Sequence, residues 1–360
     1  MQNRDTLFFL PDISGFTSFV NNVDISHSKH IIAELLEAVM SKNKLKFDLG
    51  EIEGDALFYY SKNNLPSFDQ VLAQAKEMFL AFHQQLLLYD NRRICNCGAC
   101  SSAVNLSLKF IIHYGESELI SIGGRNLKPF GKDVILAHRL LKNTLPTREY
   151  ILFTDTVEKE NMPSWFTTQR TTETIDGEQV KIYYADINSL LNEVPEIPEL
   201  QSNHRAPNPI IVEGYLDAKP EDIYELLSNM DLRELWNKKV DKLEYNKDRI
   251  NRIGDKHLCV IDGRTLEFET LTENFGNKSL VYGEVTKNIP VVKTMTNYFI
   301  LQKKGEQTFL RIESHFKPLP IIGFLLTPFI RKMVKKEFEE TINQLKTVAQ
   351  TNFLIPAAPL

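Results

Sequence analysis

Apolar and polar positions alternate in two different rhythms along the chain, and the rhythm changes near its middle. Leu7 to Leu10 is an unbroken apolar run, short enough for a buried strand. Ser14 to Asn21 reads as a short helix. Ser26 to Lys42 reads as a longer one, with Ile31, Ile32, Leu35, Leu36 and Val39 at helical spacing. Leu45 to Gly50 and Ala56 to Ser61 read as a hairpin around Gly54-Asp55. Ser67 with Gln70 three residues on makes a capping box. The helix it opens carries Val71, Ala75, Met78, Phe79, Phe82 and Leu86 on one face. Strands are expected at Leu106 to Tyr114 and Glu118 to Ile122, a helix at Lys132 to Lys142 and a strand at Gly177 to Ile187.

Leu190 to Pro209 carries four prolines among polar residues and reads as a linker. Beyond it, Ile210 to Leu216 is a strand, and Pro220 starts a helix with Ile223, Leu226 and Leu227 as its stripe. Met230 to Trp236 makes another short helix. Six alternating segments between Lys242 and Phe316 predict a curved antiparallel sheet. A long helix from about Gly323 to Thr351 closes the chain, with Phe324, Phe329, Val334, Phe338, Ile342, Leu345 and Val348 expected to face inward.

With 360 residues, two or three domains are expected, each with its own core. Hydrophobic residues at 42% and charged ones at 25% are those of a globular chain. The net charge of -5 argues against a nucleic-acid partner. The longest apolar stretch, Leu319 to Ile330, is interrupted by Pro320 and Pro328 and is too short to span a bilayer. No signal peptide is visible, so a cytoplasmic location is the expectation.

Two carboxylates stand where apolar strands meet turns: Asp12 after Leu7 to Leu10, and Asp55 in the hairpin. Each alone has a local explanation, as a helix cap and as a turn former. Brought together by neighbouring strands, they suit Mg²⁺ or Mn²⁺, which one or two carboxylates hold jointly with substrate phosphates.

The segments D-I-S-G-F-T from Asp12 and G-D-A from Gly54 resemble the metal-binding half of class III nucleotidyl cyclase catalytic domains, over about residues 5 to 190. The resemblance implies an α+β, ferredoxin-like βααββαβ domain over residues 1–190. It also implies a nucleoside triphosphate as ligand, metals on Asp12 and Asp55, and a head-to-tail homodimer. In V-I-L-A-H-R, Arg139 matches the family's phosphate-stabilising Arg, whereas Ile135 stands at the position of its ribose-orienting Asn. Glu51 and Lys128 fall at the base-reading positions, and Lys181 near the late phosphate-binding Lys, without its flanking glycines. Losing one preorganised donor costs about 3–4 kcal/mol in the transition state. A fast conventional cyclase is therefore not expected, while a slow cyclase or a nucleotide sensor is.

The opening V-E-G-Y-L-D-A-K-P-E-D-I-Y-E-L-L and the element order after residue 208 resemble the START-like helix-grip fold, here over residues 208–352 after a linker at 191–207. The resemblance implies an apolar cavity for a lipid or other hydrophobic small molecule, with Trp236, Phe268, Tyr282 and Tyr298 as candidate lining. The whole chain also resembles a little-characterised bacterial family that joins the two kinds of domain, and the expectation for this chain is that the second module binds its ligand and modulates the first. As an alternative, the cyclase-like half serves dimerisation and the START-like half carries the ligand.

Two motifs stand outside this scheme. Cys95, Cys97 and Cys100 give C-x-C-x-x-C, three thiolates suited to Zn²⁺ or iron if His113 or a partner chain adds a fourth ligand, or else a loop of reduced thiols. The stretch PLPIIGFLLTPFIRKMVKK sets an apolar patch beside Arg331, Lys332, Lys335 and Lys336. It suits either an anionic membrane surface or the mouth and lid of the helix-grip cavity, and core-facing packing is the default.

Overall fold

A computed structural model describes residues 5–21, 25–94, 98–121, 127–157, 162–198, 200, 204–276 and 279–352. The chain forms two compact units, Met1–Asn91 with Cys97–Ile197, and Arg92–Asn96 with Pro198–Leu360.

The first unit runs β1 (Thr6–Ser14), α1 (Phe16–Asn21), α2 (Ile25–Met40), β2 (Asp48–Glu53), β3 (Ala56–Lys62), α3 (Phe68–Asn91), α4 (Gly98–Ser102) and β4 (Ser107–Gly115). It continues with β5 (Glu118–Ser121), β6 (Leu127–Phe130), α5 (Lys132–Leu140), β7 (Tyr150–Thr154), β8 (Gln169–Ile175) and β9 (Glu178–Asp186). Apart from the short α4, the order through β4 is the expected βααββαβ. Seven strands form one sheet, β2-β3-β1-β4-β7-β9-β8, in which β4 and β7 pair in parallel. The Gln70 arm of the capping box forms: the Ser67 N–H donates to Gln70 Oε1 at 2.9 Å.

Phe8, Leu10, Ile111 and Leu152 form one sheet face with Ala137 and Leu140 of α5. β1 extends further than its apolar run suggests, so Asp12 lies inside the strand and shares the face of Phe8 and Leu10. Pro11 is tolerated because the β1–β3 ladder is interrupted there: Phe9 faces Tyr59, and the next paired residues are Asp12 and Ala56. Gly54, at φ 64°, turns the β2–β3 hairpin so that Asp55 follows directly.

The second unit runs β10 (Ile210–Leu216), α6 (Pro220–Ser228), α7 (Arg233–Trp236), β11 (Val240–Glu244), β12 (Lys256–Ile261), β13 (Arg264–Leu271), β14 (Leu280–Ile289), β15 (Val292–Lys304), β16 (Gln307–Pro318), α8 (Ile322–Leu325) and α9 (Thr327–Asn352). Its seven strands pair antiparallel in the order β10-β16-β15-β14-β13-β12-β11. The sheet holds α9 against one face, with Ile330, Val334, Phe338, Ile342 and Leu345 in the core. Gly214 on β10 permits this approach, since a Cβ there would lie 2.8 Å from the Ile342 side chain. This is the helix-grip arrangement, and the whole chain is α+β.

The closing helix differs from the expectation at its start. It breaks at Leu326 into α8 and α9, and Pro328 takes the first turn of α9. Phe324 and Phe329, expected inward, are 74% and 67% exposed. The break changes the helical phase, so the stripe that begins at Ile330 does not extend back to them.

Candidate functional site

The first unit carries a cleft of about 670 Å³ where β1, the β2–β3 turn and β4 meet, lined by Asp12, Asp55, Lys109, Lys142 and Arg148 together with Gly15 and Phe16. β1 and the β2–β3 turn carry the two carboxylates to it: Asp12 pairs with Ala56, and the Ile13 N–H donates to the Asp55 carbonyl at 3.1 Å. β4 brings Lys109 opposite Asp12 in register. The Lys109 Nζ lies 2.9 Å from Asp12 Oδ2 and donates to the Leu141 carbonyl at 3.1 Å.

The electrostatics follow from crowding. Burial raises the Asp55 pKa, the neighbouring Asp12 charge adds to the rise, and together they bring it to about 6. Burial also raises Asp12 above the usual carboxylate range, against the pull of Lys109. Burial would lower Lys109, but Asp12, Tyr150 and Asp55 together outweigh it and the lysine titrates above its usual value. A divalent cation would relieve the repulsion between two carboxylates that share one lysine. Among the described residues no cluster of three or more His, Cys, Asp or Glu side chains suits a metal.

The remaining candidates of the first unit lie outside this lining. Glu51 and Lys128 pair with each other at 2.8 Å on the surface. Arg139 pairs with Asp176 at 3.2 Å, both half-exposed. Lys181 is exposed on β9, opposite Thr172. Cys95 and Cys97 lie outside the described residues. Cys100 is buried, 3.6 Å from His27 Nδ1. His113 is buried on β4, its Nδ1 2.8 Å from Thr154 Oγ1 and its Nε2 3.6 Å from Asp133 Oδ1.

Sequence reasoning missed Lys109, Lys142 and Arg148. Lys109 had a signal, as the only Lys or Arg in the apolar strand LSLKFIIHY.

The second unit encloses a cavity of about 190 Å³ between the sheet and α9, with Trp236, Phe268, Met295, Phe299 and Phe338 among its walls. Of the four candidates, Trp236 and Phe268 line it. Tyr282 is fully buried beside it, its hydroxyl donating to Glu284 Oε1 at 2.5 Å. Tyr298 packs on the opposite sheet face with Val281, Ile300 and Phe275, because strand residues alternate and Phe299 takes the cavity side.

The cavity has a polar end that no sequence motif announces. Arg233 pairs with Glu284 and approaches His257 Nε2 at 3.0 Å, all three buried. Burial pushes His257 down to about 4, so it is neutral at pH 7. Burial alone would raise Glu284, but Arg233 and His257 hold its carboxyl below the usual range. Arg233 Nε and Thr286 Oγ1, both lining residues, are buried without a hydrogen-bond partner. An unsatisfied buried hydroxyl costs about 1–3 kcal/mol. Thr286→Val should therefore leave the empty protein as stable or about 1 kcal/mol more stable, read as a rise in Tm.

Comparison with known proteins divides at the same place as the fold. Residues 32–150 match a family model described as "Protein of unknown function (DUF2652)". Residues 212–350 match one described as "Polyketide cyclase / dehydrase and lipid transport". An uncharacterized protein of Mycobacterium tuberculosis is 36% identical over 126 residues, 35% of this chain. The chain spans 58% of that relative's length. Among solved structures, a START superfamily protein from Mycobacterium smegmatis overlaps 39% of this chain and 97% of its own, at 15% identity and a TM-score of 0.31. The guanylate cyclase domain of RhGC from Catenaria anguillulae, in complex with GTP, overlaps 51% of this chain and 96% of its own, at 14% identity and a TM-score of 0.38. No helix among the described residues is long and apolar enough to cross a membrane.

Proposed function

We propose that the first unit binds the polyphosphate of a nucleoside triphosphate together with Mg²⁺ or Mn²⁺, and that the second binds a small apolar molecule that modulates it. The observation that carries the first part is the meeting of Asp12 and Asp55 in one cleft with Lys109, Lys142 and Arg148. Asp12 and Asp55 would hold the cation, which supplies charge neutralisation and Lewis-acid polarisation at the phosphates. Lys142 and Arg148 add positive charge toward the same anion, and Lys109 fixes the Asp12 carboxylate. To reach phosphates across the head-to-tail dimer that the motifs suggest, Arg139 would have to exchange its exposed ion pair with Asp176. With Ile135 in place of the ribose-orienting Asn, slow cyclisation or binding alone is the expected output.

For the second unit, the apolar walls and the two unpartnered polar atoms support a ligand with an apolar body and one hydrogen-bond acceptor. A neutral acceptor such as a carbonyl fits best, because Glu284 already balances Arg233. Carriage of such a ligand without catalysis is the second reading. It is favoured by the engagement of Glu51, Lys128 and Arg139 in surface ion pairs.

Titration of the protein with ATP or GTP, with and without Mn²⁺, and analysis of the products separates the two. Cation-dependent binding that Asp12→Ala removes is the expected result. Binding that ignores both Mn²⁺ and Asp12→Ala overturns the first reading and leaves the carrier.

A further inference from the structure

The segment from Leu319 to Met333 presents large apolar side chains to solvent, and nothing else in the described second unit covers them. Ile321 is 77% exposed, and Phe324, Leu325 and Phe329 are each about two-thirds exposed or more. A patch of this kind marks an interaction site rather than ordinary surface.

The patch is preformed. Gly323 packs so closely on the β14–β15 turn that a Cβ would meet the Val291 carbonyl at 2.2 Å. The Leu319 N–H donates to that same carbonyl at 2.9 Å. Val291 and Ile321 both adopt left-handed φ, 63° and 64°, a costly conformation for β-branched residues. Such conformations persist only where the surrounding packing fixes them, and here that packing leaves Ile321 outward.

Its chemistry selects the occupant. Between Lys317 and Lys336 the chain carries five basic residues, Lys317, Arg331, Lys332, Lys335 and Lys336, and no acidic one. Glu337, Glu339 and Glu340 follow directly, Lys336 lies 3.8 Å from Glu340 and Arg331 donates to the Asn208 and Pro209 carbonyls, which leaves Lys317, Lys332 and Lys335 as the exposed charges beside the apolar side chains of a chain at -5 overall. The apolar part offers few hydrogen-bonding side chains, and the Thr327 hydroxyl is already spent on the Gly323 carbonyl at 3.1 Å. A protein interface of useful size needs about one hydrogen bond per 100–200 Å². Protruding Phe, Leu and Ile side chains backed by lysines instead match an interfacial surface that enters the headgroup region of a bilayer.

We propose that residues 317–336 dock on an anionic lipid bilayer. Met333, half-exposed in this surface, also lines the cavity, so the cavity mouth lies at the edge of the docked face.

The test is flotation of the full chain with vesicles of phosphatidylcholine, with or without phosphatidylserine. Binding to the serine-containing vesicles that weakens as salt rises is the expected result. The double variants Phe324→Glu with Phe329→Glu, and Lys332→Glu with Lys335→Glu, should each lose about tenfold or more in partitioning. All four positions are exposed or flank the core, so unchanged circular dichroism accompanies the loss; should the Phe pair misfold, the Lys pair decides. Absence of binding to anionic vesicles, or equal binding by both variants, overturns the proposal. So does a concentration-dependent dimer in sedimentation velocity that the Phe pair dissolves, which would assign the face to a second copy.

Discussion

Asp55→Asn should make the empty protein more stable above pH 6 and at the same time weaken cation-dependent nucleotide binding about a hundredfold. The two effects have one origin. The folded-state pKa of Asp55 is raised from 3.8 to about 6 by burial and by Asp12, so the folded protein binds a proton more tightly than the unfolded chain. For an acid shifted upward, stability falls as pH rises from about 4 to about 6 and stays lower above that. Fully transmitted, the shift would amount to about 3 kcal/mol. Asp55 is only half-buried, and solvent screening reduces the figure to about 1–2 kcal/mol. Asparagine removes the charge, and several degrees of Tm at pH 8 should be gained while the curves converge near pH 4. The same ionised carboxylate is what a cation needs. Metal-dependent nucleotide binding in the unaltered protein should rise with pH through about 6 and be flat in the variant. Calorimetric melting at several pH values, with and without Mn²⁺ and nucleotide, reads both. A variant that is destabilised at pH 8, or that keeps full cation dependence, would show that Asp55 is not the strained member of the pair.

Much of the fold is legible in the chain because its periodicities are local. The capping box at Ser67, the helical stripes of α2 and α3 and the alternation of the second sheet each need only neighbours a few residues apart. β7 escaped notice because YILFT is short, apolar and unpatterned; it is buried between β4 and β9. β8 escaped for the opposite reason, being a polar edge strand whose support comes from β9 alone. The site splits along the same line. Asp12 and Asp55 sit in short motifs, but Lys109 meets Asp12 only through the register of β1 on β4, a pairing of residues far apart in sequence. Tyr298 and Phe299 differ in function-bearing position by one step of a strand, and choosing between them needs the sheet face. Phe324 and Phe329 look like core residues because spacing alone does not reveal that Leu326 breaks the helix.

The largest loss of stability is expected at the polar end of the second unit's cavity, where single and double substitutions should differ in kind. Arg233, Glu284 and His257 are all buried, and the pair is held by direct contact of the guanidinium with the Glu284 carboxylate. Burial weakens the case for either ion alone; Arg233 nevertheless stays charged because Glu284 faces it. Glu284→Leu should therefore cost about 3–5 kcal/mol, since it leaves an uncompensated guanidinium in the core. It also strips the acceptor from the Tyr282 hydroxyl. Arg233→Met with Glu284→Leu removes both charges, and should recover most of that loss, because well-packed apolar replacements of a buried pair are often neutral. The two variants thus distinguish a pair kept for stability from one kept for recognition. If the double variant folds at near-normal Tm yet no longer binds an acceptor-bearing apolar ligand that the unaltered protein binds, the ion pair serves to hold Arg233 Nε toward the cavity. If single and double variants are equally unstable in denaturant titration, the three buried polar groups hold the sheet to α7, and the cavity's polar end is a consequence of packing.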